Sequence, residues 1–323
     1  MSNQIQIKVA ELNQLNPLMI ADDSRVEQKF TLMYNAIWGT GQGAQIYEKE
    51  KFNFRKILQE KPELQRCSPL SLYGCFLDIA VNGLSLDPTG RPHCYILPRS
   101  TKTGYKDNNG NDIYELRAYL SITGYGELVM RQRAGQVRYV DNPVVCYEGD
   151  TFSPGLVDGV KTVTYQASCP RKSNKVIGGF IRIVRADGTV DWHWMMEGDI
   201  KRLEAYSFKN NQRWNPQTQK KEGKANALYT SNEGGIDPGF LESKLIKHAF
   251  DGYPKVRTGK FTVFETQEEP QDIDYGLEET TAIQPKSENP LQDFGEQPQA
   301  QTEPVPASGI TAPITQEDED AGF

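Results

Sequence analysis

Apolar and polar residues alternate over residues 116–122, a pattern that predicts a strand with one buried side and one solvent-facing side. The solvent-facing side carries Arg117 and Tyr119. Glycines at positions 124 and 126 end this strand, and a short helix is predicted over residues 127–134, closed by Gly135 in the left-handed conformation. A second strand is predicted over residues 136–140. This strand–turn–helix–strand unit is rich in arginine and tyrosine.

Helical spacing of apolar residues recurs elsewhere, together with residues that start and stop helices. The ranges predicted to be helical are 24–39, 44–59, 69–82, 200–206 and 239–250. Further strands are predicted over 93–97, 160–167, 175–185 and 189–196, with Asp187-Gly188 as the turn of a hairpin between the last two. Residues 99–115 are expected to form a long hairpin loop, and residues 207–235 a long polar loop of the kind that is usually functional or disordered.

The composition fits a soluble, intracellular protein with a sizeable core. Hydrophobic residues occupy 37% of the 323 positions, no apolar run reaches 18 residues, and the N-terminal residues lack the basic-then-apolar layout of a signal peptide. The five cysteines are scattered and odd in number, which argues against a disulfide framework or a metal knuckle. We expect them to be reduced and partly buried.

Charge divides the chain into two unlike parts. From Thr266 to the end there are 14 acidic residues and one basic residue, a net charge of −13. The preceding 265 residues hold 35 basic and 29 acidic residues, a net charge of +6. We therefore expect a mobile N-terminal arm over residues 1–22, a core domain over 23–265 and a disordered acidic tail over 266–323. The mildly basic core could meet a polyanion, and the tail could compete with that polyanion or recruit a partner.

Four stretches of sequence together resemble the RecT family of phage single-strand annealing proteins. They are CSPLSLYGCFLDIAVNGLSLDPTGRPHCYILPRS (67–100), SITGYGELVMRQRAGQV (121–137), YEGDTFS (147–153) and KLIKHAFDGYP (244–254). The resemblance extends over about residues 65–255, and the order of the elements agrees throughout. One departure is Tyr125, which stands where the family often has a basic residue, so stacking is expected there in place of a phosphate contact.

The resemblance implies an α+β fold in which a twisted antiparallel sheet and packed helices form a basic DNA-binding groove. It also implies an activity that needs no ATP and no other cofactor. Such a protein coats single-stranded DNA as an oligomeric ring or filament and pairs it with a complementary strand to give an annealed duplex. The expected partners are a phage 5′-to-3′ exonuclease and the host single-strand-binding protein. The expected location is the cytoplasm of a bacterial host that carries a phage or prophage, with no membrane association.

Strand annealing makes no bonds, so the residues it needs are those that neutralise phosphates and stack on bases. Basic and aromatic residues of the strand, the helices and the long loops offer this mixture. The predicted DNA-binding residues are Arg99, Lys102, Tyr105, Lys106, Arg117, Tyr119, Tyr125, Arg131, Arg133, Lys209, Arg213, Trp214 and Lys247. Because Arg131 and Arg133 are two apart on a helix, they must point in different directions, and at least one is expected at the surface or in an interface.

Two alternatives from other classes stay open on the sequence. A metal-dependent nuclease would need paired carboxylates, for which Asp78, Asp87, Glu127 and Asp150 are available, but no spacing selects them. The three histidines occur in no zinc-binding motif and are expected to be structural. A scaffold that acts only through its tail would leave the basic core without a role.

Overall fold

The N-terminal quarter of the chain is mainly helical. The computed structural model describes residues 6–256, 259–263 and 274–278, with the side chains of Arg213, Trp214, Val263 and Glu278 left outside the description. A short strand opens this region, and helices follow it: β1 (Ile7–Lys8), α1 (Val9–Leu12), α2 (Ser24–Trp38), α3 (Gly43–Glu60) and α4 (Pro69–Asn82). Helix α4 is buried from Ser71 to Asn82, because most of its residues are apolar and it lies in the middle of the N-terminal core cluster.

The boundaries of α2, α3 and α4 follow the predicted start and stop signals to within about one residue. In contrast, the helix predicted over 127–134 begins at Gly124, and the one predicted over 200–206 extends over Glu197–Asn210. Gly39 and Gly83 both have a φ of 62° and end α2 and α4 in the left-handed conformation. The side chain of Asp23 caps α2 by accepting a hydrogen bond from the backbone N–H of Arg25 at 2.9 Å.

The predicted mobile N-terminal arm is wrong for residues 6–22. Leu12 and Ile20 are fully buried in the helical core, and the Tyr47 hydroxyl donates a hydrogen bond to the carbonyl of Ala21. This segment lacks a period because it combines β1, the short α1 and a 3-10 helix over Pro17–Asp22. Residues 1–5 lie outside the described residues.

A long hairpin follows the helices. Strands β2 (Cys94–Lys106) and β3 (Asp112–Ile122) pair antiparallel, and one face of the hairpin packs on α4, where the backbone N–H of Ala118 donates to the Ser71 hydroxyl at 2.8 Å. The strands extend well into residues 99–115, which we predicted to be a loop. Beyond Ser100 the hairpin projects from the core and none of its residues up to Glu115 is buried. This part therefore shows no alternation of apolar and polar residues.

A second sheet is built around its longest strand. The elements that follow the first hairpin are α5 (Gly124–Arg133), β4 (Val137–Val140), β5 (Val144–Tyr147), β6 (Thr151–Val157), β7 (Val160–Gln166), β8 (Val176–Arg185) and β9 (Val190–Met196). Strand β8 pairs antiparallel with β4 and β5 along one edge and with β9 along the other. The predicted Asp187-Gly188 hairpin turn is confirmed. Strand β6 was missed because few of its residues are buried.

The C-terminal helices cover one face of this second sheet. The remaining elements up to residue 249 are α6 (Glu197–Asn210), β10 (Arg213–Asn215), β11 (Lys220–Glu222) and α7 (Pro238–Ala249). Leu245 and Ile246 of α7 pack in two apolar clusters, one with Met195 of β9 and the other with Ile181 of β8. The α+β class is confirmed, with several separate antiparallel sheets where a single one was expected.

The chain then returns to the N-terminal helices as a C-terminal strap, which we define as residues 259–263 and 274–278. Strand β12 (Thr262–Val263) pairs parallel with β3, and β13 (Leu277–Glu278) pairs parallel with β1. Tyr275 is only 4% exposed, so the predicted boundary of a disordered tail at residue 266 is wrong for residues 274–278.

The strap is held by one fully buried carboxylate on α4. Asp78 accepts hydrogen bonds from the Thr262 hydroxyl and the Phe261 N–H, both at 2.8 Å, and from the Tyr275 hydroxyl. Burial raises the pKa of Asp78 to about 7, while these three donors act in the opposite direction. The strap therefore supplies the hydrogen-bond donors that offset the free-energy cost of burying a carboxylate in the core.

Candidate nucleic-acid interface

Two arginines face each other across the outer side of the β2–β3 hairpin. The register pairs Arg99 with Arg117, and the flanking pairs are Leu97 with Tyr119 and Thr101 with Glu115. Directly paired residues project to the same side of a sheet, opposite to the buried Ile96 and Leu120. We call this side the arginine face. Like charges directly opposite each other destabilise a sheet, so this pair needs local compensation or an anionic ligand.

Neighbouring side chains hold both guanidinium groups in place. The Arg99 guanidinium carbon lies 5.5 Å from the centroid of the Tyr119 ring, a cation–π contact. The Tyr119 hydroxyl is 2.9 Å from the Thr101 hydroxyl, which fixes the ring. The Arg117 Nε donates to a Glu115 carboxylate oxygen at 2.7 Å. Since Arg99, Arg117 and Tyr119 all stay partly exposed, the arginine face offers two oriented cations and one aromatic ring to solvent.

The outer part of the hairpin adds aromatic rings and lysines. Tyr105 is 72% exposed and Tyr114 is 57% exposed, although both rings are large and apolar. Lys102 forms an exposed ion pair with Asp112 and lies 6.0 Å from the Tyr114 ring centroid, while Lys106 is exposed opposite Asp112. Exposed rings next to lysines are the components of a stacking platform for bases.

Tyr125 lines a cleft at the start of α5. The cleft has a volume of about 280 Å³, and Arg91, Thr123 and Glu242 also contribute to its walls. The Tyr125 ring lies 5.5 Å from the His93 ring, and Thr123 caps α5 by accepting from the Gly126 N–H at 2.9 Å. A Cβ at position 126 would overlap the His93 carbonyl, which explains the glycine after Tyr125.

Arg131 belongs to the packing between α5 and α7. Its side chain is 9% exposed and lies 3.3 Å from Glu127, although the two closest atoms are not aligned for a hydrogen bond. The guanidinium also donates to the Pro254 carbonyl and, at 3.2 Å, to the Gln136 side chain. Burial raises the pKa of Glu127, and the positive charges of Arg131 and Lys247 oppose this rise. These contacts make Arg131 a structural residue, and we leave it out of the proposed interface.

Replacing Arg131 by alanine should lower the free energy of unfolding by about 3 kcal/mol, because it leaves Glu127 buried without its partner. Urea unfolding of the full chain measures this change, and Arg138→Ala, at an exposed position of β4, serves as the control with an expected change within about 0.5 kcal/mol. Unchanged stability together with weaker DNA binding would instead place Arg131 in the interface.

The other predicted residues lie on separate elements. The Arg133 guanidinium donates to the Gly83 carbonyl and lies 5.5 Å from the Trp38 ring. Arg133 and Arg131 therefore point in different directions, as expected for residues two apart on a helix. Lys247 is half-buried on α7, and Lys209 is exposed in the last turn of α6. The side chains of Arg213 and Trp214 lie outside the described residues, although their backbone forms β10, paired with β11.

Comparison with known families decides the identity of the chain. The model of the RecT family matches residues 49–230, which extend from α3 through the arginine face and the second sheet to the segment before α7. The chain belongs to the RecT family. No curated protein matches the sequence. RecT-family proteins bind single-stranded DNA, form oligomers and act in single-strand annealing recombination of the phage type.

The carboxylates considered for a nuclease have structural partners in this RecT-family chain. Asp78 holds the strap, Glu127 faces Arg131, Asp87 pairs with Lys49 at 2.9 Å, and Asp150 accepts from two backbone N–H groups and the Tyr165 hydroxyl. Within the described ranges, no three His, Cys, Asp or Glu side chains are grouped so that they could hold a metal ion. None of the described helices has both the length and the apolar character needed to cross a membrane.

Sequence reasoning missed some residues of this RecT-family surface. Thr101 was overlooked because its role depends on the register that places it beside Tyr119. Arg91 and Tyr114 were also missed, and each had a local signal. Arg91 is a basic residue in a glycine- and proline-rich turn, and Tyr114 is an aromatic residue at the edge of a polar hairpin.

Proposed function

We propose that this protein binds single-stranded DNA along the arginine face and anneals complementary strands without hydrolysing a nucleotide. The observation that supports this proposal is the cross-strand pair of Arg99 and Arg117 beside the Tyr119 ring. Two guanidinium groups on one face concentrate positive charge there, and guanidinium groups bind phosphate oxygens in a bidentate manner. A bound phosphate backbone therefore adds an anionic partner to two cations that neighbouring side chains already orient.

The same surface leaves base edges free for pairing. Contacts to phosphates position a strand without reading its sequence, and ring stacking is equally indifferent to sequence. Once one strand is held and its charge is reduced, a second strand approaches with less repulsion. Lys102, Tyr105, Lys106, Tyr125, Lys209 and Lys247, together with Arg133, Arg213 and Trp214, extend this surface in the proposal.

We propose that the working form is an oligomeric ring or filament in the cytoplasm of a phage- or prophage-bearing bacterium. A phage 5′-to-3′ exonuclease would supply its single strands, and the host single-strand-binding protein would hold them beforehand. The acidic tail would act as a competitor of DNA, since its charge of −13 is attracted to the same cations.

Mixing the protein with complementary labelled oligonucleotides should speed duplex formation in the absence of any nucleotide triphosphate and in the presence of EDTA. Stopped-flow quenching of a fluorophore by its partner strand measures the rate, and electron microscopy of the product shows the assembly. Shortened oligonucleotides on a denaturing gel, appearing only when a divalent metal is added, would favour the nuclease alternative. A rate equal to that of protein-free strands would refute the proposal.

A further inference from the structure

The end of the β6–β7 hairpin is apolar on both of its faces. Its turn residues, Asp158 and Gly159, have φ values of 51° and 78°, as a tight two-residue hairpin turn requires. Val157 and Val160 form the last cross-strand pair and are 60% and 58% exposed, while Leu156 points to the opposite face and is 68% exposed. We call Leu156, Val157, Asp158 and Val160 the hairpin tip.

The base of this hairpin is fixed to the second sheet, so the tip projects in a defined direction. Phe152 and Tyr165 pack on Phe180 of β8, with ring centroids 5.8 Å and 5.4 Å apart from it. The Lys161 ammonium lies 5.9 Å from the Trp194 ring of β9. Three aliphatic side chains held in water at a rigid end are characteristic of a contact site. Because both faces are apolar, the tip fits a concave surface better than a flat one.

A concave surface of matching character lies between α6 and residues 223–230. This α6 groove has a volume of about 570 Å³, and its apolar lining includes Ala205, Phe208, Ala225 and Ala227. Phe208 is 44% exposed, so the floor of the α6 groove is open to solvent. The Asn226 N–H donates to the Ser207 hydroxyl at 3.0 Å and thereby fixes one wall to the helix.

Charge on the α6 groove complements the hairpin tip. Lys201 and Lys224 line the groove, together with Glu204. Lys201 is already paired with Glu197 at 2.8 Å. Lys224 is therefore the lining lysine to which we assign a carboxylate of another molecule. The hairpin tip presents Asp158 at its apex, between Val157 and Val160. An apolar wedge with one carboxylate thus meets an apolar groove with a lysine.

We propose that the hairpin tip of one copy inserts into the α6 groove of a second copy. The tip of the same chain cannot be the occupant, because its three aliphatic residues stay 58–68% exposed while the groove is open. The two surfaces differ, so the contact is heterologous and a pair of copies keeps one free tip and one free groove. Repetition of this contact gives a closed ring or a helical filament. This inference rests on the oligomeric form in the proposed function and names the surfaces that build it.

The test uses two single substitutions that damage opposite halves of the contact. Leu156→Asp alters the hairpin tip and Phe208→Asp alters the α6 groove, and both positions are exposed, so the fold should tolerate each. Leu32→Asp, at a leucine of α2 that is 56% exposed, is the matched control. Mass photometry and sedimentation velocity, with and without a long oligodeoxynucleotide, should show self-association weakened on the order of tenfold or more for the first two variants only.

Mixing the two damaged variants distinguishes the contact from other arrangements. Each variant retains one intact half, so an equimolar mixture should form heterodimers and nothing larger. A tip-to-tip contact would let Phe208→Asp self-associate on its own as the parent does, and that result would overturn the proposal. A loss of assembly on removing residues 279–323, with Leu156→Asp assembling normally, would assign the α6 groove to the acidic tail and also overturn it. Failure of the parent chain to anneal DNA would refute the proposed function alone, since assembly is read without DNA.

Discussion

Replacing Arg99 and Arg117 together by glutamine should weaken single-stranded DNA binding by about a hundredfold while leaving the fold intact. Each guanidinium is expected to make a charge-assisted hydrogen bond to phosphate worth about 1.5 kcal/mol, so two losses come to about 3 kcal/mol. The salt dependence of binding should also become shallower by about 0.7 per lost contact. Fluorescence anisotropy of a labelled oligonucleotide across a salt series measures both changes.

The stability of the same variant is expected to change in the opposite direction. Removing two like charges that face each other across the hairpin should leave the free energy of unfolding unchanged or raise it by up to about 1 kcal/mol. Lost binding with retained stability is the signature of residues that serve the ligand and not the fold. A structural role for the pair would instead lower both quantities together.

The matched control removes the same amount of charge elsewhere. Lys56→Gln with Arg202→Gln changes two exposed helical residues whose ion pairs are long, 3.8 Å and 3.4 Å. This double variant should bind DNA within about twofold of the parent, because exposed charges act only through a screened field. Equal losses in the two double variants would show that net charge, and not the arginine face, governs binding.

The sequence pattern predicted those helices and hairpins that are determined by residues close together in the sequence. Ser68-Pro69 at its start and Gly83 at its end predict the helix over residues 69–82, and the observed boundaries agree with the predicted ones to within one residue. The hairpin at Asp187-Gly188 follows from one dipeptide. In both cases the residues that decide the structure are neighbours in the sequence.

Features that depend on distant partners could not be predicted in this way. The strap is ordered by Asp78, whose donors Phe261, Thr262 and Tyr275 are 183–197 residues away in the sequence. Nothing in the composition of residues 266–278 distinguishes Tyr275 from its polar surroundings. Similarly, an arginine on a short helix looks like a DNA ligand until the fold places Glu127 and the Pro254 carbonyl beside Arg131.

Part of the candidate site was within reach of the sequence, and part was not. The alternation of apolar and polar residues over 116–122 predicts that Arg117 and Tyr119 share the solvent-facing side of the strand, and the structure shows both on that side. The position of Arg99 directly opposite Arg117 depends on the register of β2, which a slip of one residue would reverse. The register depends on the turn at residues 107–111, on the irregularity between Lys102 and Lys106, and on burial of Ile96 in the helical core, none of which a single strand reveals.

Deleting residues 266–323 should destabilise the protein severely, whereas deleting residues 279–323 should not. The first deletion removes Asp274, which pairs with Lys29 at 2.7 Å. Tyr275, whose backbone carbonyl accepts a hydrogen bond from the Tyr73 hydroxyl at 2.5 Å, is removed as well. It also removes the Tyr275 hydroxyl from the buried Asp78. Loss of one buried ring and of partners for several buried polar groups comes to about 5 kcal/mol, comparable to the whole stability of a typical domain.

Urea unfolding of the two truncated chains beside the full chain measures this difference, and Tyr275→Phe in the full chain separates its causes. That variant keeps the ring but removes the hydroxyl, which donates to Asp78 and accepts from the Lys260 N–H, so it should lower the free energy of unfolding by about 1–3 kcal/mol. Equal stability of the two truncated chains would mean that residues 274–278 of the strap contribute nothing to stability. The choice of boundary also decides how the tail can be studied: ending the chain at Glu278 removes nine acidic residues and one basic residue and keeps every strap contact described above. Its DNA affinity at low salt should exceed that of the full chain, because fewer carboxylates then compete with phosphates.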